Sequence, residues 1–279
     1  MKGMHTLHTT TRLAHLTVDR GVSTITLDSP HNRNALSAPL RTQLLQLLEK
    51  ALADKSTRAI VLAHTGPTFC AGADLKEARN ADTTRSAEEL AALLHNLMTS
   101  EKPVVARLTG PARAGGIGLI AACDFAIAAD TVTFAFPEVR IGVIPSMISI
   151  PLRLRVQPSA LHRLFLTGET FDARYAANIG LVSAVVSETH LDSTVTELTD
   201  SLQLGAPQAL TGVKQLLSPP AEILSDQFEQ MQALTARYFA SPEARERIRA
   251  FAETPSNVTP SATLTFSETF CQRMESTEI

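Results

Sequence analysis

Two stretches of small residues carry the first sign of chemistry in this sequence. Residues 110–124 read GPARAGGIGLIAACD and lie between an apolar segment typical of a strand and one typical of a helix. Gly115 and Gly116 have no β-carbon, so the backbone there can turn sharply and approach a ligand closely. The helix that follows presents free N–H groups, which suit a carbonyl oxygen that gains negative charge. Residues 69–77, FCAGADLKE, repeat this design after another strand.

Carboxyl groups are the other candidates for chemistry. Glu138 follows an apolar strand and Pro137, a position that makes it a candidate for proton transfer, although most glutamates are solvated surface residues. Asp74 and Asp124 both follow small-residue turns, a position that favours capping a helix or holding a loop. The eight histidines are scattered without metal-ligand spacing, and Ser146 does not lie in a Gly-x-Ser-x-Gly turn. The glycine-rich run also lacks the Gly-Lys-Ser/Thr of a phosphate loop, so we expect neither a metal nor a bound nucleotide cofactor.

The composition is that of an ordinary globular enzyme. The 279 residues are 44% hydrophobic, which fits one large domain or two small ones. A net charge of −3 gives no electrostatic reason to expect nucleic acid or an acidic membrane surface as a partner. No segment reaches the ~20 apolar residues that a membrane helix needs. Three cysteines without metal-ligand spacing predict reduced thiols and a cytoplasmic protein.

Hydrophobic periodicity predicts a layered α/β fold. Residues 13–18 and 22–27 alternate as a hairpin, and predicted helices and short strands follow. Polar residues 80–88 are predicted to form a mobile loop, able to act as a lid, before a helix over 89–99. The other predicted helices cover 39–52, 158–166, 172–179, 189–203, 206–217, 221–239 and 242–252, and the other strands 58–63, 104–108, 125–129 and 132–136.

These patterns divide the chain into three parts. A sheet-based core is predicted over 1–197 and a helical region over 198–255. Residues 256–279 are rich in Ser and Thr and lose periodicity, so we expect a flexible tail.

Four motifs follow one another along the chain: Asn34-Ala35-Leu36, residues 69–77, residues 110–116 leading to Cys123-Asp124, and Phe136-Pro137-Glu138 with residues 142–145. In this order and spacing they resemble the enoyl-CoA hydratase/isomerase (crotonase) family over residues 12–253. The resemblance implies a spiral of repeated ββα units that carries an acyl-CoA site, and C-terminal helices that build homotrimers or, by pairing, hexamers. Coenzyme A is then part of the substrate, no separate cofactor is expected, and the setting is fatty-acid metabolism.

The resemblance also assigns roles to single residues. The backbone amides of Ala73 and Gly115 match the two donors that hold the thioester oxygen in this family, and Glu138 matches a catalytic glutamate. Polarising the thioester makes the β-carbon electrophilic and the α- and γ-hydrogens acidic, and one such donor is typically worth about 3–4 kcal/mol of barrier. The residues matched to CoA and substrate binding are Arg33, Ala35, Ala71, Asp74, Leu75, Gly116 and Pro137.

Gly118 is a departure from the family pattern. It stands where family hydratases commonly carry a second glutamate, and it has no side chain to offer. A single carboxyl group fits a hydratase in which Glu138 alone works on the water, and equally fits a Δ3,Δ2-enoyl-CoA isomerase with one proton shuttle. A crotonase homologue that binds acyl-CoA without turnover is a third alternative, against which the retained Glu138 argues.

The motif pattern most resembles the methylglutaconyl-CoA-like, branched-chain hydratases, some of which also carry glycine at that position, and this favours hydratase. The usual Gly-rich run after Pro145 is replaced by Ser146-Met147-Ile148-Ser149, so the acyl pocket is expected to differ from that of straight-chain enzymes.

Overall fold

The computed structural model describes residues 11–78 and 83–253. Strands and helices alternate through its first two thirds, and helices alone follow. The strands are β1 (Ala14–Asp19), β2 (Val22–Leu27), β3 (Ala59–His64), β4 (Val104–Leu108), β5 (Ala112–Arg113), β6 (Phe125–Ala129), β7 (Thr133–Ala135), β8 (Thr170–Asp172) and β9 (Ala184–Val186). The α-helices are α1 (Ala38–Ala53), α2 (Leu75–Ala78), α3 (Thr83–Met98), α4 (Gly115–Ala122), α5 (Ser146–Arg155), α6 (Pro158–Thr167), α7 (Ala173–Asn178), α8 (Glu188–Gln203), α9 (Pro207–Leu217), α10 (Ala221–Phe239) and α11 (Pro242–Glu253).

The main sheet has six strands in the order β1-β2-β3-β4-β6-β9. The first pair is the predicted antiparallel hairpin, and every later pair is parallel. All six residues of β3 are buried, as expected for a parallel strand covered on both faces. The α/β prediction is therefore confirmed.

A second sheet holds β5, β7 and β8. Its strands β5 and β7 are parallel, and β7 and β8 are antiparallel. Phe134 and Phe171 stack across the second pair with ring centroids 5.5 Å apart. Strands β5 and β8 have only two and three residues, too few for a period of two to show in the sequence.

Helix α4 lies in the centre of the core. All eight of its residues are buried, which is typical of a helix that is hydrophobic on every face. Its carboxyl end is capped by Arg155, whose guanidinium donates to the carbonyl oxygens of Ala121 at 3.3 Å and Asp124 at 3.0 Å. A cation at this end complements the helix dipole and satisfies carbonyls that have no helical partner.

The structure differs from the sequence prediction at helices α3 and α5. Helix α3 begins at Thr83, so the predicted loop and its lid role are wrong for residues 83–88, while 80–82 lie outside the described residues. The polar first turns are helical because Arg85 and Glu89 pair one turn apart at 3.1 Å. The buried Arg41 also donates to Glu89 at 2.9 Å and to Ser86 at 3.0 Å. Helix α5 was not predicted, because Pro151 lies inside it and hides the helical pattern.

The C-terminal part is helical, as predicted. The proposed boundary between 197 and 198 falls inside α8, whose Leu191 and Val195 pack against the main sheet. The division into a core and a helical region stays a prediction, and the tail at 256–279 lies outside the described residues. Within the described ranges, no helix has the length and apolar character needed to cross a bilayer.

Candidate active site

The two small-residue stretches run side by side in the structure. Cys70 and Ala112 form a parallel bridge, and the Arg113 amide donates to the Cys70 carbonyl at 2.9 Å. Ala73 and Gly115 each lie three residues beyond this bridge. The shared register therefore brings together the two amides that the sequence predicts as donors.

Glycine is required where the two stretches touch. Gly72 has a φ of +88°, and a β-carbon there would lie 2.8 Å from the β-carbon of Ala114 and 3.5 Å from the Gly115 nitrogen. A β-carbon on Gly116 would lie 2.8 Å from the carbonyl oxygen of Cys70. Any larger residue would push the stretches apart, so the close backbone approach is built into the packing.

Both predicted donor amides are available to donate a hydrogen bond to a ligand. Gly115 is the first residue of α4, and its amide has no acceptor among the described residues. The Ala73 amide likewise donates to no described atom, and the residue is exposed. Two unbonded N–H groups in adjacent stretches can receive one carbonyl oxygen, and their role as an oxyanion site remains a prediction.

A third segment flanks Ala71 and Ala73. The Ala71 amide donates to the Arg33 carbonyl at 3.1 Å, and the Leu36 amide donates to the Gly72 carbonyl at 2.8 Å. Leu36 and Ala73 also form a parallel bridge. The residues matched to CoA binding at Arg33, Ala35 and Ala71 therefore gather beside the predicted donors. Arg33 itself is exposed, with a φ of 58°.

The aspartates stabilise local structure. Asp74 Oδ1 accepts from the Glu77 amide at 3.3 Å, which caps the short helix α2 that begins at Leu75, and its Oδ2 accepts from Asn32 at 3.3 Å. Asp124 Oδ2 accepts from the Val104 amide at 2.7 Å and pairs with Lys214. These contacts fit the structural interpretation of both residues, and the additional binding role of Asp74 stays a prediction.

Glu138 lies at the carboxyl end of the strand next to β5. Ala114 donates to the carbonyl of Ala135, the last residue of β7, at 3.2 Å. Pro137 then opens a 3-10 helix, Pro137–Ile141, in which Glu138 is the second residue. Because β5 and β7 are parallel, Gly115 and Glu138 follow strands that end at the same edge of the small sheet.

The Glu138 side chain is buried, and one of its two carboxyl oxygens has no partner among the described residues. The residue is 8% exposed, and its Oε2 has no hydrogen-bond partner among the described residues. Burial raises the pKa of its carboxyl group to about 7, because the charged form loses its hydration. A carboxyl group that titrates near neutral pH can both take up and release a proton, which is what a general acid/base needs.

The space beside Gly118 is filled by another residue. A β-carbon there would contact the Ile148 side chain, with its Cβ at 3.0 Å, and would lie 3.5 Å from Leu94 Cδ2. Ile148 belongs to α5 and is buried. Ile148 and Leu94 therefore form an apolar wall at the position that the sequence matched to a second glutamate. The sequence gives no signal for this contact, because the two residues are thirty positions apart and α5 was not predicted.

Comparison with known proteins identifies the family. A family model of enoyl-CoA hydratase/isomerase matches residues 17–258. The chain belongs to this family. It is an acyl-CoA enzyme of the enoyl-CoA hydratase type. The match confirms the fold and the class of activity that the motifs imply.

Several known proteins resemble this enoyl-CoA hydratase/isomerase family member over most of their length. It is 35% identical to an enoyl-CoA isomerase/hydratase of Mycosarcoma maydis, across 87% of this chain and 96% of that protein. It is 32% identical to a carnitinyl-CoA dehydratase of Proteus mirabilis, across 86% and 95%. An enoyl-CoA hydratase crystal structure from Mycobacterium avium superposes with a TM-score of 0.80 at 42% identity, across 86% and 96%.

Proposed function

We propose that this enzyme adds water across the 2,3 double bond of an enoyl-CoA thioester, with Glu138 as its single general acid/base. The observation that carries this proposal is the buried Glu138 carboxyl, unpartnered at Oε2 and placed at the sheet edge where α4 begins. The amides of Ala73 and Gly115 are the proposed donors to the thioester oxygen.

The reaction balances with one carboxylate. Hydrogen bonds from the two amides draw electrons toward the thioester oxygen and leave C3 electron-poor. The Glu138 carboxylate takes a proton from a water molecule as the water oxygen bonds to C3, and the double-bond electrons move into an enolate. Protonated Glu138 then returns that proton to C2, which restores the thioester and the ionised carboxylate.

A second candidate reaction is supported by the wall at Gly118. With Ile148 over this position, no second carboxyl group can orient water there. In a 3-enoyl-CoA, Glu138 would take a proton from C2 and return it to C4, which moves the double bond to the 2,3 position and requires no water. The intermediate of this isomerisation is a dienolate, whose thioester oxygen the same two amides would stabilise.

A substrate panel separates these reactions. The purified enzyme is assayed with crotonyl-CoA, a methyl-branched 2-enoyl-CoA and a 3-enoyl-CoA, and products are resolved by chromatography. Hydration of either 2-enoyl substrate, with no faster isomerisation, supports the proposal. Isomerisation that outpaces hydration by an order of magnitude would replace it with the second reaction. Binding without any product would refute both.

We further propose that branched acyl groups are preferred. The run Ser146 to Ser149 replaces the family's usual Gly-rich segment, and Ile148 and Met147 are buried beside α4. Side chains in that segment give the pocket a different shape from one lined by glycine. Comparing kcat/KM for the straight and branched substrates of the panel tests this, and equal values would count against it.

We propose that the working enzyme is a homotrimer or a pair of trimers. Support comes from α9, where no residue is buried, and from a row of exposed apolar side chains at its end. Leu216 and Leu217 are 83% and 79% exposed, and Val213 is 51% exposed. A second copy of the chain would cover this surface, as the family's C-terminal helices do. Light scattering should show a trimer or hexamer, and Leu216→Asp should shift it toward monomer.

Cofactor use and location are also proposals. We propose that the enzyme needs no cofactor, because coenzyme A is part of the substrate, so dialysis against a chelator should leave turnover unchanged. A cytoplasmic location is supported by Cys70 and Cys123, which are free and buried. Burial raises the pKa of both thiols to about 12, which keeps them protonated and unreactive.

A further inference from the structure

Arg41 is a buried cation in the first turn of α1. Its side chain is 6% exposed, and its guanidinium contacts four groups. Nε donates to Glu89 Oε2 at 2.9 Å, and Nη2 donates to Ser86 Oγ at 3.0 Å and to Glu77 Oε1 at 3.4 Å. Nη1 donates to the carbonyl oxygen of Leu36. Burying a guanidinium is costly, so this set of partners is required to keep it charged inside the protein.

These contacts converge on the loop that carries Ala73. Leu36, whose carbonyl Arg41 holds, is the residue that bridges Ala73 and whose amide bonds Gly72. Glu77, in helix α2 directly after this loop, accepts from Arg41 with one oxygen and from the Ala38 amide at 2.8 Å with the other. Arg41 therefore contacts residues 72–77 directly at Glu77, and acts on Gly72 and Ala73 through Leu36.

The Gly115 amide needs no such support. It belongs to α4, which is buried on all sides and held in the core along its whole length. The Ala73 amide belongs instead to an exposed residue that is tied to Leu36 by one isolated β-bridge. The distance between the two donors is therefore set by how firmly the Ala73 loop is fixed.

We propose that Arg41 is a positioning residue that holds the Ala73 amide in line with the Gly115 amide, so that both reach one thioester oxygen. The inference rests on the proposed oxyanion role of these amides and extends it to a residue that does not touch the substrate. Lysine cannot replace Arg41 here, because one ammonium group cannot span Leu36, Glu89 and the Glu77–Ser86 pair as a planar fork does.

The test reads the carbonyl itself. Butyryl-CoA labelled with ¹³C at the thioester carbonyl has no double bond and does not react, and its C=O stretch moves to lower frequency when the oxygen is hydrogen-bonded. Infrared difference spectra are recorded for the wild type, Arg41→Lys and Glu77→Ala. Arg85→Gln is the matched control, because Arg85 also pairs with Glu89 but is 71% exposed and does not contact the loop. Turnover and thermal unfolding are measured alongside.

We expect the wild-type shift to be reduced by at least half in Arg41→Lys and Glu77→Ala, and kept in Arg85→Gln. The value of kcat should fall about 10- to 100-fold in both variants, with KM changed less than about threefold. If Arg41→Lys fails to fold, Glu77→Ala alone decides the matter, since Glu77 is only half-buried.

Two outcomes overturn the inference in different ways. A folded variant that keeps the full carbonyl shift and wild-type kcat shows that Arg41 does not position the donor, and leaves the proposed function intact. A wild-type complex without any shift shows that the amides do not bind the thioester oxygen, which removes the basis of the inference and the oxyanion part of the proposed function together.

Discussion

The two halves of the proposed site, one to hold the thioester oxygen and one to transfer protons, are built in opposite ways. The donor half consists of backbone amides on two neighbouring stretches, fixed by glycine contacts, single bridges and a buried guanidinium. The proton-transfer half consists of one side chain, Glu138, whose Oε2 has no partner among the described residues. Ile148 fills the position that the sequence matched to a second carboxyl group.

The difference follows from what the two proposed roles require. Stabilising an enolate needs donors at fixed positions, so many contacts hold that half in place. Proton transfer needs one group of suitable pKa, and side chains around it can vary without disturbing the donors. Substitutions in the two halves should therefore fail in different ways.

The largest effect is expected from Glu138→Gln. The amide keeps the shape of the side chain but cannot take up a proton, so kcat should fall about 10²- to 10⁴-fold. Butyryl-CoA affinity, measured by calorimetry, should stay within a few-fold, because the donor half is unchanged. Turnover close to wild type in this variant would exclude Glu138 as the acid/base and remove the comparison.

Gly72→Ala tests the donor half. The new β-carbon would lie 2.8 Å from Ala114 at a φ of +88°, so the donor stretches must separate. We expect a fall in kcat of about 10²-fold, on the scale of losing one oxyanion donor. Gly21→Ala is the control, because it has a similar φ of +79° in the first hairpin and faces flexible side chains. Both variants should lose stability, but only Gly72→Ala should lose kcat; an equal loss in both would point to global destabilisation.

The pH dependence tests the side-chain half. The folded-state pKa of Glu138 is raised from 4.5 to about 7, and the proposed mechanism starts from its carboxylate. The value of kcat/KM should therefore rise with pH up to about 7 and then level off, and Glu138→Gln should abolish this profile. A flat profile between pH 5 and 8 in the wild type would contradict the assignment.

Stability should show the opposite dependence. Between about pH 4.5 and 7 the unfolded chain is ionised at Glu138 while the folded chain stays protonated, so stability falls as pH rises through this window. Above pH 7 the wild type carries the full penalty, of the order of 3 kcal/mol. Denaturant titrations at pH 8 should find Glu138→Gln more stable than the wild type, with little difference near pH 4.5. Lower stability of the variant at pH 8 would show that the carboxylate is stabilised rather than strained.

The smallest effect is expected at the wall. Gly118→Glu alone should destabilise the protein, because its β-carbon meets Ile148. Adding Ile148→Ala removes the closest contact, that of Ile148 Cγ2, and leaves the β-carbon of residue 148 at 3.0 Å. The double variant should therefore recover part of the stability and raise hydration relative to isomerisation by a few-fold. Ile148→Ala alone is the control for the added space. An unchanged product ratio in the double variant would show that the wall does not limit the chemistry.

The sequence predicted most of the donor half and little of its support. Gly115 and Ala73 follow apolar strands with small residues around them, and that local pattern is visible without a structure. Arg41 is not visible in this way, because its partners lie as far along the chain as Glu89 and no periodicity links them. The same contacts explain why polar residues 83–88 form helix where a loop was predicted.

The sequence likewise predicted the residue but not the environment of the side-chain half. Glu138 is marked by Pro137 and the strand before it, whereas its burial depends on elements packed from elsewhere in the chain. The sequence shows that position 118 lacks a carboxyl side chain, but only the packing of α5 shows that Ile148 fills the space. Contacts between distant segments therefore account for what sequence reasoning missed.

The amides of Ala73 and Gly115, which have no acceptor among the described residues, have a consequence for solvent exchange. An amide proton without an acceptor is held back from exchange only by lack of access to water, and the exposed Ala73 amide has neither form of protection. In the free protein its deuterium uptake should be among the fastest within the ordered core, although both neighbouring stretches are well packed. Bound thioester would supply the missing acceptor, so occupancy of the site should appear as slowed uptake confined to two peptide groups, measurable even in a variant that cannot turn over.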